Sequence, residues 1–206
     1  MTTPEGRPPT ALGFFDGQNL FRRAKRVFGH REPNFDPVAL HREVSLRGGF
    51  QPGAIYFYTG IPAAKHQPRW HTFWENKIAA MRADGVHVTT RPLRYRERFS
   101  YDDEGKIETF IEPEEKGIDI RIALDLVRMA RRGELEAAII YSQDQDLNEA
   151  IPELEAIAAE RQSEFAIASA FPVGPKSTFN RGVDRTQWIE IDRSLYDRCL
   201  DQRNHF

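Results

Sequence analysis

Residues 137–160 run AAIIYSQDQDLNEAIPELEAIAAE. The first five, Ala137 to Tyr141, are apolar or aromatic without alternation, the pattern of a strand covered on both faces rather than one with a wet side. The run stops at Ser142, and Asp146 to Glu160 then reads as a helix. A fully buried strand leading straight into a helix is the repeating unit of a parallel sheet, and the same order extends outward in both directions. Downstream, Phe165 to Ala170 is the next strand. Upstream, Ile118, Ile122, Leu126 and Met129 recur at helical spacing until Gly133. Further back come a strand at Val86 to Thr90, a helix at Arg69 to Arg82, and a strand at Ala54 to Tyr58. Asp36-Pro37 has the form of an N-cap followed by proline at the first helical position, opening a helix that ends near Gly48-Gly49. Ala11 to Phe15 is the first strand, stopped by Asp16-Gly17 and followed by an amphipathic stretch from Leu20 to Phe28. The chain is therefore expected to form a three-layer α/β/α sandwich around a mostly parallel sheet.

With 206 residues, 40% of them hydrophobic and 29% charged, the chain suits one packed domain and excludes overall disorder. No stretch approaches the ~18 apolar residues that cross a bilayer, and Met1 to Thr10 has no apolar signal core, so a cytoplasmic protein is expected. Cys199 is the only cysteine; it can form neither an internal disulfide nor a zinc cluster, which leaves oxygen ligands or histidine for any metal. The first ten residues read as a disordered segment, residues 91–116 as a charged hairpin with its tip at Asp103, Glu104 and Gly105, and residues 173–206 as an extension packing on the domain. That extension holds a weak strand near Trp188 to Ile191 and a short helix after Asp192. The net charge is only -2, yet two segments are strongly basic: Arg22, Arg23, Lys25, Arg26 and Arg31, and Arg91, Arg94, Arg96 and Arg98.

In an open parallel sheet, ligands bind beyond the carboxyl ends of the strands where the strand order reverses. The first strand delivers Asp16 there, the strand ending at Tyr141 delivers Asp144 and Asp146, and Asp119 opens the helix after Lys116-Gly117. If these junctions are neighbours, four acids share one region, and like charges at short range raise one another's pKa. A hard divalent cation resolves that conflict, with magnesium or manganese preferring such oxygen donors. The matching chemistry is metal-assisted hydrolysis of a phosphodiester.

Phe14-Phe-Asp-Gly-Gln-Asn-Leu20, Lys116-Gly-Ile-Asp-Ile120 with Ala123-Leu-Asp-Leu126, and Ile139-Ile-Tyr-Ser-Gln-Asp-Gln-Asp-Leu147 together resemble the signature of the NYN domain. This is the LabA-like branch of the PIN-domain nuclease superfamily, and the resemblance covers roughly residues 11 to 172. It implies a PIN-like fold and a metal-dependent endoribonuclease using Mg²⁺ or Mn²⁺, with Asp16, Asp119, Asp144 and Asp146 as catalytic metal ligands. Asn19 would support the first aspartate, and Ser142 would order the same loop. The chain departs from the family pattern at Gln143, where glycine is usual, and at Gln145 and Leu147. These departures motivate an alternative reading, a non-catalytic RNA-binding or regulatory module.

Each feature also has a plainer explanation. Aspartates at strand-to-helix junctions often serve only as helix caps. Asp125 lies about 120° around the helix from Asp119 and is expected in a solvated salt bridge with Arg121 or Arg128. Arg22 and Arg26 could guide an RNA backbone toward the acids or form a solvated helix face. Arg94 and Arg96, interleaved with Tyr95 and Phe99, suit single-stranded RNA but equally a charged hairpin or a homodimer contact. Lys116 would touch a phosphate or balance Glu114 and Glu115. Trp70 and Trp74 read as core or interface, His66, His71 and His87 as ordinary polar residues, and Cys199 as structural. An Asp-x-Asp phosphatase is disfavoured by Gln18, and a dinucleotide-binding dehydrogenase by the lack of Gly-x-Gly-x-x-Gly after the first strand.

Overall fold

The computed structural model describes residues 6–101, 105–175, 177 and 180–206. Capping aspartates set several element boundaries. Asp36 accepts hydrogen bonds from the Val38 and Ala39 N–H groups at 2.8 and 3.3 Å, Pro37 occupies the first turn, and Gly49 closes the helix in the left-handed region at φ 81°. The strands are β1 (Thr10–Asp16), β2 (Gln51–Ile61), β3 (His87–Pro92), β4 (Arg94–Tyr101), β5 (Ile107–Glu114), β6 (Ala137–Tyr141), β7 (Ala166–Pro172) and β8 (Gln187–Ile191). The helices are α1 (Gly17–Phe28), α2 (Pro37–Gly48), α3 (Pro68–Ala83), α4 (Ile118–Arg132), α5 (Ala150–Glu160) and α6 (Arg193–Arg198).

Six strands form one sheet in the order β3-β2-β1-β6-β7-β8, and every neighbouring pair is parallel. The chain moves outward from β1 through β2 to β3, then returns to the other side of β1 with β6. The reversal of strand order thus falls between β1 and β6, where a parallel sheet opens a crevice at its carboxyl end. Burial on both faces is visible within β6. Ala137, Ile139 and Tyr141 join the core shared with α1, α2, α3 and α6, whereas Ala138 and Ile140 join the core shared with α4 and α5. This is the expected α/β/α sandwich.

Several boundaries differ from the sequence reading. The helix after β6 is not continuous from Asp146. A 3-10 turn spans Gln145–Glu149 and α5 starts at Ala150. Pro152 has no N–H to donate to the Asn148 carbonyl, so a continuous α-helical ladder through this point is unavailable, while a first-turn position is well tolerated. Residues 7–10 are not a loose segment: Arg7 pairs with Glu136 at 2.6 Å, and the Thr10 N–H donates to the same carboxylate at 2.8 Å. Beyond residue 172, β8 completes the central sheet at one edge, and Phe35 bridges to Leu200. The charged excursion is an antiparallel ribbon, β4 with β5, outside the main sheet. Asp103 and Glu104 of its expected tip lie outside the described residues. Among the described residues, no helix is long and apolar enough to cross a membrane.

Candidate active site

Asp16 is the last residue of β1 and the N-cap of α1. Its carboxylate accepts the Asn19 N–H at 3.0 Å and the Ser142 hydroxyl at 3.4 Å. Gly17, next to it, has no room for a side chain: a Cβ there would lie 2.7 Å from the Phe57 ring. The start of α1 can therefore press against β2 only with glycine after the aspartate. Across the strand reversal, the Ser142 oxygen accepts the Asp144 N–H at 3.1 Å, and the Asn19 side-chain oxygen accepts the Gln143 N–H at 3.1 Å. Asp144 in turn caps the 3-10 turn by accepting the Asp146 N–H at 3.1 Å. Asn19, through its backbone N–H to Asp16 and its side chain to Gln143, and Ser142 both lace the end of β1 to the loop after β6.

A cleft of about 890 Å³ opens over this junction, and Asp16, Asp119, Asp144 and Asp146 all line it. Gly117, in the left-handed region at φ 72°, turns the chain from the ribbon into α4 and so brings Asp119 to the wall. Glu115 lines the cleft as well. Sequence reasoning treated it only as a partner for Lys116; its place directly before the Lys-Gly-Ile-Asp run was the one signal for it. Its carboxylate accepts the Gly60 N–H.

The electrostatics of the floor are unfavourable as it stands. Burial, with the Asp144 charge adding to it, raises Asp16 from 3.8 to about 6, against the lowering influence of the Asn19 and Ser142 hydrogen bonds and Arg22. Burial, then the charges of Asp16 and Asp119, raise Glu115 from 4.5 to about 7, opposed by the Gly60 hydrogen bond and Arg22. The acids nevertheless share a cleft rather than a cage. Among the described residues, no group of three or more His, Cys, Asp or Glu is gathered closely enough to hold a metal ion ready-made. The four acids, which come from three separate junctions, therefore line one cleft without forming such a ready-made group among the described residues.

Around this floor stand Arg22, Arg26, Arg91 and Arg94. None of the four has an ion pair or side-chain hydrogen bond among the described residues. Arg91 was counted in a basic segment but not singled out for the site. Lys116 also lines the cleft and lies 3.5 Å from Glu114. Arg96 is not part of the lining: it pairs with Glu114 at 3.0 Å on the ribbon. Arg23 is buried, donating to the Pro172 carbonyl at 3.1 Å and to Asn180 at 3.3 Å. Asp125 does pair with arginine, but it is buried rather than solvated and bonded to both Arg121 and Arg128 at 2.8 and 3.1 Å, with the Tyr58 hydroxyl donating at 3.1 Å.

The two glutamines that depart from the family pattern tie the acidic loop to the segment before β8. Gln143 donates to the Arg181 carbonyl at 2.6 Å and Gln145 to the Gly182 carbonyl at 2.8 Å, while the Asp184 N–H donates back to Gln145 at 3.3 Å. No spacing rule in the sequence marks such a contact.

A parallel sheet whose strand reversal carries an acidic, arginine-rimmed cleft has the architecture of a PIN-like nuclease domain. The NYN domain family matches residues 11–168, and the chain belongs to that family. This sets it within the PIN-like nuclease superfamily, among RNA-directed domains that are generally ribonucleases. Neither a curated protein nor a solved structure gives a match to the chain. Arg181, Gly182 and Asp184, which brace the acidic loop, lie beyond the matched residues.

Proposed function

We propose that this chain is a ribonuclease that hydrolyses RNA phosphodiester bonds in the cleft over β1 and β6, using Mg²⁺ or Mn²⁺. The observation that carries the reading is a floor of acids, two of them raised by burial and by neighbouring acids, beneath arginines that make no ion pair or side-chain hydrogen bond among the described residues. The donor set is all carboxylate, which fits a hard cation, and magnesium commonly takes only one or two protein carboxylates with water and phosphate completing its shell. A ready-made cage is thus not required. Asp16, Asp119, Asp144 and Asp146 would hold the ion, which when bound neutralises charge developing on the phosphoryl oxygens and lowers the pKa of a bound water. Ser142 and Asn19 fix the orientation of Asp16 and of the loop that presents Asp144. Arg22, Arg26, Arg94 and Lys116, with Arg91, offset the phosphate charges of a bound strand and hold it across the floor. The substrate assigned in this reading is a single strand. The test is cleavage of a single-stranded RNA with manganese present. Cleavage that disappears in Asp16→Asn and Asp144→Asn is expected; no cleavage by the intact protein sinks the enzymatic reading.

A second reading, an RNA-binding module without turnover, is favoured by the acids sharing a cleft without forming a cage. Calorimetry separates the two. Divalent-ion binding that is lost in Asp144→Asn supports the ribonuclease, and RNA binding indifferent to the ion supports the module.

A further inference from the structure

A second cavity, of about 250 Å³, opens beside the cleft and shares Gln18 and Arg22 with it. Its walls come from the exposed side of α1 and the first turns of α3. Gln18, Phe21, Arg22 and Lys25 recur at helical spacing along α1 and so present one stripe. Trp70 and Trp74, one turn apart on α3, form the opposite wall. Both were expected to be core or interface. Trp74 is indeed buried against Phe57 and Phe73, but both indoles also line this cavity.

The composition of this cavity differs from that of the cleft in a telling way. It contains no carboxylate. Its cations are Arg22, Lys25 and Arg31, and none of the three has an ion pair or side-chain hydrogen bond among the described residues. Aromatic and proline surface supplies the rest, with Gln18 and Gln67 as amide donors and acceptors. Such a lining selects a ligand that is flat and apolar over most of its area, carries hydrogen-bonding edges, and is joined to negative charge. A nucleotide meets all three conditions: the base lies on the aromatic surface, and the phosphate meets the cations. A neutral peptide would account for the aromatic walls but not for three cations that have no ion pair among the described residues.

We infer that the cavity between α1 and α3 is a base-binding subsite, taking a nucleobase of single-stranded RNA from the nucleotide adjoining the one whose phosphate lies in the cleft. Arg22, common to both spaces, bridges the two nucleotides by contacting the phosphate between them. This rests on the ribonuclease reading for the identity of the strand, and extends it by assigning a place where the strand is gripped through a base rather than through its backbone alone.

The experiment uses the whole chain without divalent ion, so that RNA is bound and not cut. Fluorescein-labelled RNA oligonucleotides, each with one abasic position, are titrated against the unmodified protein, Trp70→Leu, and a Lys25→Ala/Arg31→Ala double variant, with circular dichroism checking the fold. One abasic position is expected to weaken binding about tenfold in the unmodified protein and less than twofold in Trp70→Leu, since stacking on an aromatic side chain is what that base loses. The double variant, which leaves the aromatic walls untouched, should bind every oligonucleotide at least fivefold more weakly. An abasic scan that is identical in the unmodified protein and Trp70→Leu overturns the subsite. If Trp70→Leu does not fold, the same conclusion follows from adenosine 5′-monophosphate. It should quench tryptophan emission saturably where ribose 5-phosphate does not, and equal responses overturn the proposal. The two readings fail separately: RNA cleavage without base dependence removes only the subsite, and base-dependent binding without cleavage at any metal concentration removes only the enzyme.

Discussion

Asp16 and Asp125 are buried to the same degree, each 5% exposed, and each comes from a motif that resembles the NYN signature. Their surroundings are opposite. Asp125 sits between two guanidinium groups and accepts a phenol hydrogen bond, so its charge is compensated within the protein. Asp16 accepts one backbone N–H and a long serine hydroxyl contact, faces the charge of Asp144, and feels Arg22 only through space, with no ion pair to it. A buried carboxylate with ion-paired cations belongs to the scaffold, and one without an ion pair is poised to gain a cation from outside. The contrast shows that burial of an acid says little by itself; what matters is who supplies the counter-charge.

The sharpest way to break this comparison is to neutralise each acid in turn. Asp16→Asn should lower RNA cleavage by about 100-fold or more, the upper end of what removing even an outer-shell partner of a metal costs. The same change should leave stability at pH 7 equal or higher, by up to about 3 kcal/mol, because a carboxyl held near 6 is destabilised in its charged form and asparagine caps α1 as well as aspartate does. Asp125→Asn should do the reverse. Urea denaturation is expected to show a loss of about 1–3 kcal/mol, discounted from a fully buried pair because Arg121 and Arg128 are partly exposed, while cleavage per folded molecule stays close to that of the parent. Equal stability losses in both variants would erase the distinction.

The tie between the acidic loop and the segment beyond the family match offers a subtler probe. Gln143→Ala combined with Gln145→Ala should reduce cleavage about tenfold, since the loop that carries Asp144 and Asp146 loses its anchors to residues 181–184. Normal divalent-ion affinity with normal cleavage in that variant would show that the anchors are dispensable.

The smallest expected effect lies in the pH dependence of stability, where the raised acids Asp16 and Glu115 act with a sign opposite to that of buried His41. Asp16 is raised, so between 3.8 and about 6 the folded chain binds more protons than the unfolded one, and stability rises as pH falls through that window. His41 is lowered from 6.5 to about 4 by burial, against the raising influence of its hydrogen bond to the Ala11 carbonyl. Between 6.5 and 4 the unfolded chain therefore binds the extra proton, and stability falls as pH falls. In the parent the Asp16 slope, with that of Glu115 of the same sign, opposes the His41 slope. In Asp16→Asn the His41 contribution stands less opposed, and denaturation midpoints should drop more steeply from pH 6.5 to 4 than in the parent. A shallower slope would contradict the assignment.

Much of this architecture could be read before any coordinates. The apolar run Ala137 to Tyr141, the Asp36-Pro37 cap and the glycines at 49 and 133 depend on local periodicity and backbone preference, and the elements they mark fall where expected. The acids at 16, 119, 144 and 146 could be nominated because parallel connectivity puts strand ends on one side of a sheet. The one local signal for Glu115, its place directly before the Lys-Gly-Ile-Asp run, does not reveal that it lines the cleft, and helical angle alone does not reveal that Tyr58 hydrogen-bonds to Asp125 and leaves it buried.

The pattern of side chains along the chain determined the sheet, its burial on two faces and the set of carboxylates available at its carboxyl edge, since these follow from hydrophobic period and chain direction. Tertiary structure alone decided which of those carboxylates lack an ion pair and which arginines stay unpaired among the described residues, and that residues 181–184 hold the acidic loop. Those outcomes rest on contacts between segments far apart in sequence, whose energies depend on distance and desolvation and so have no local signature.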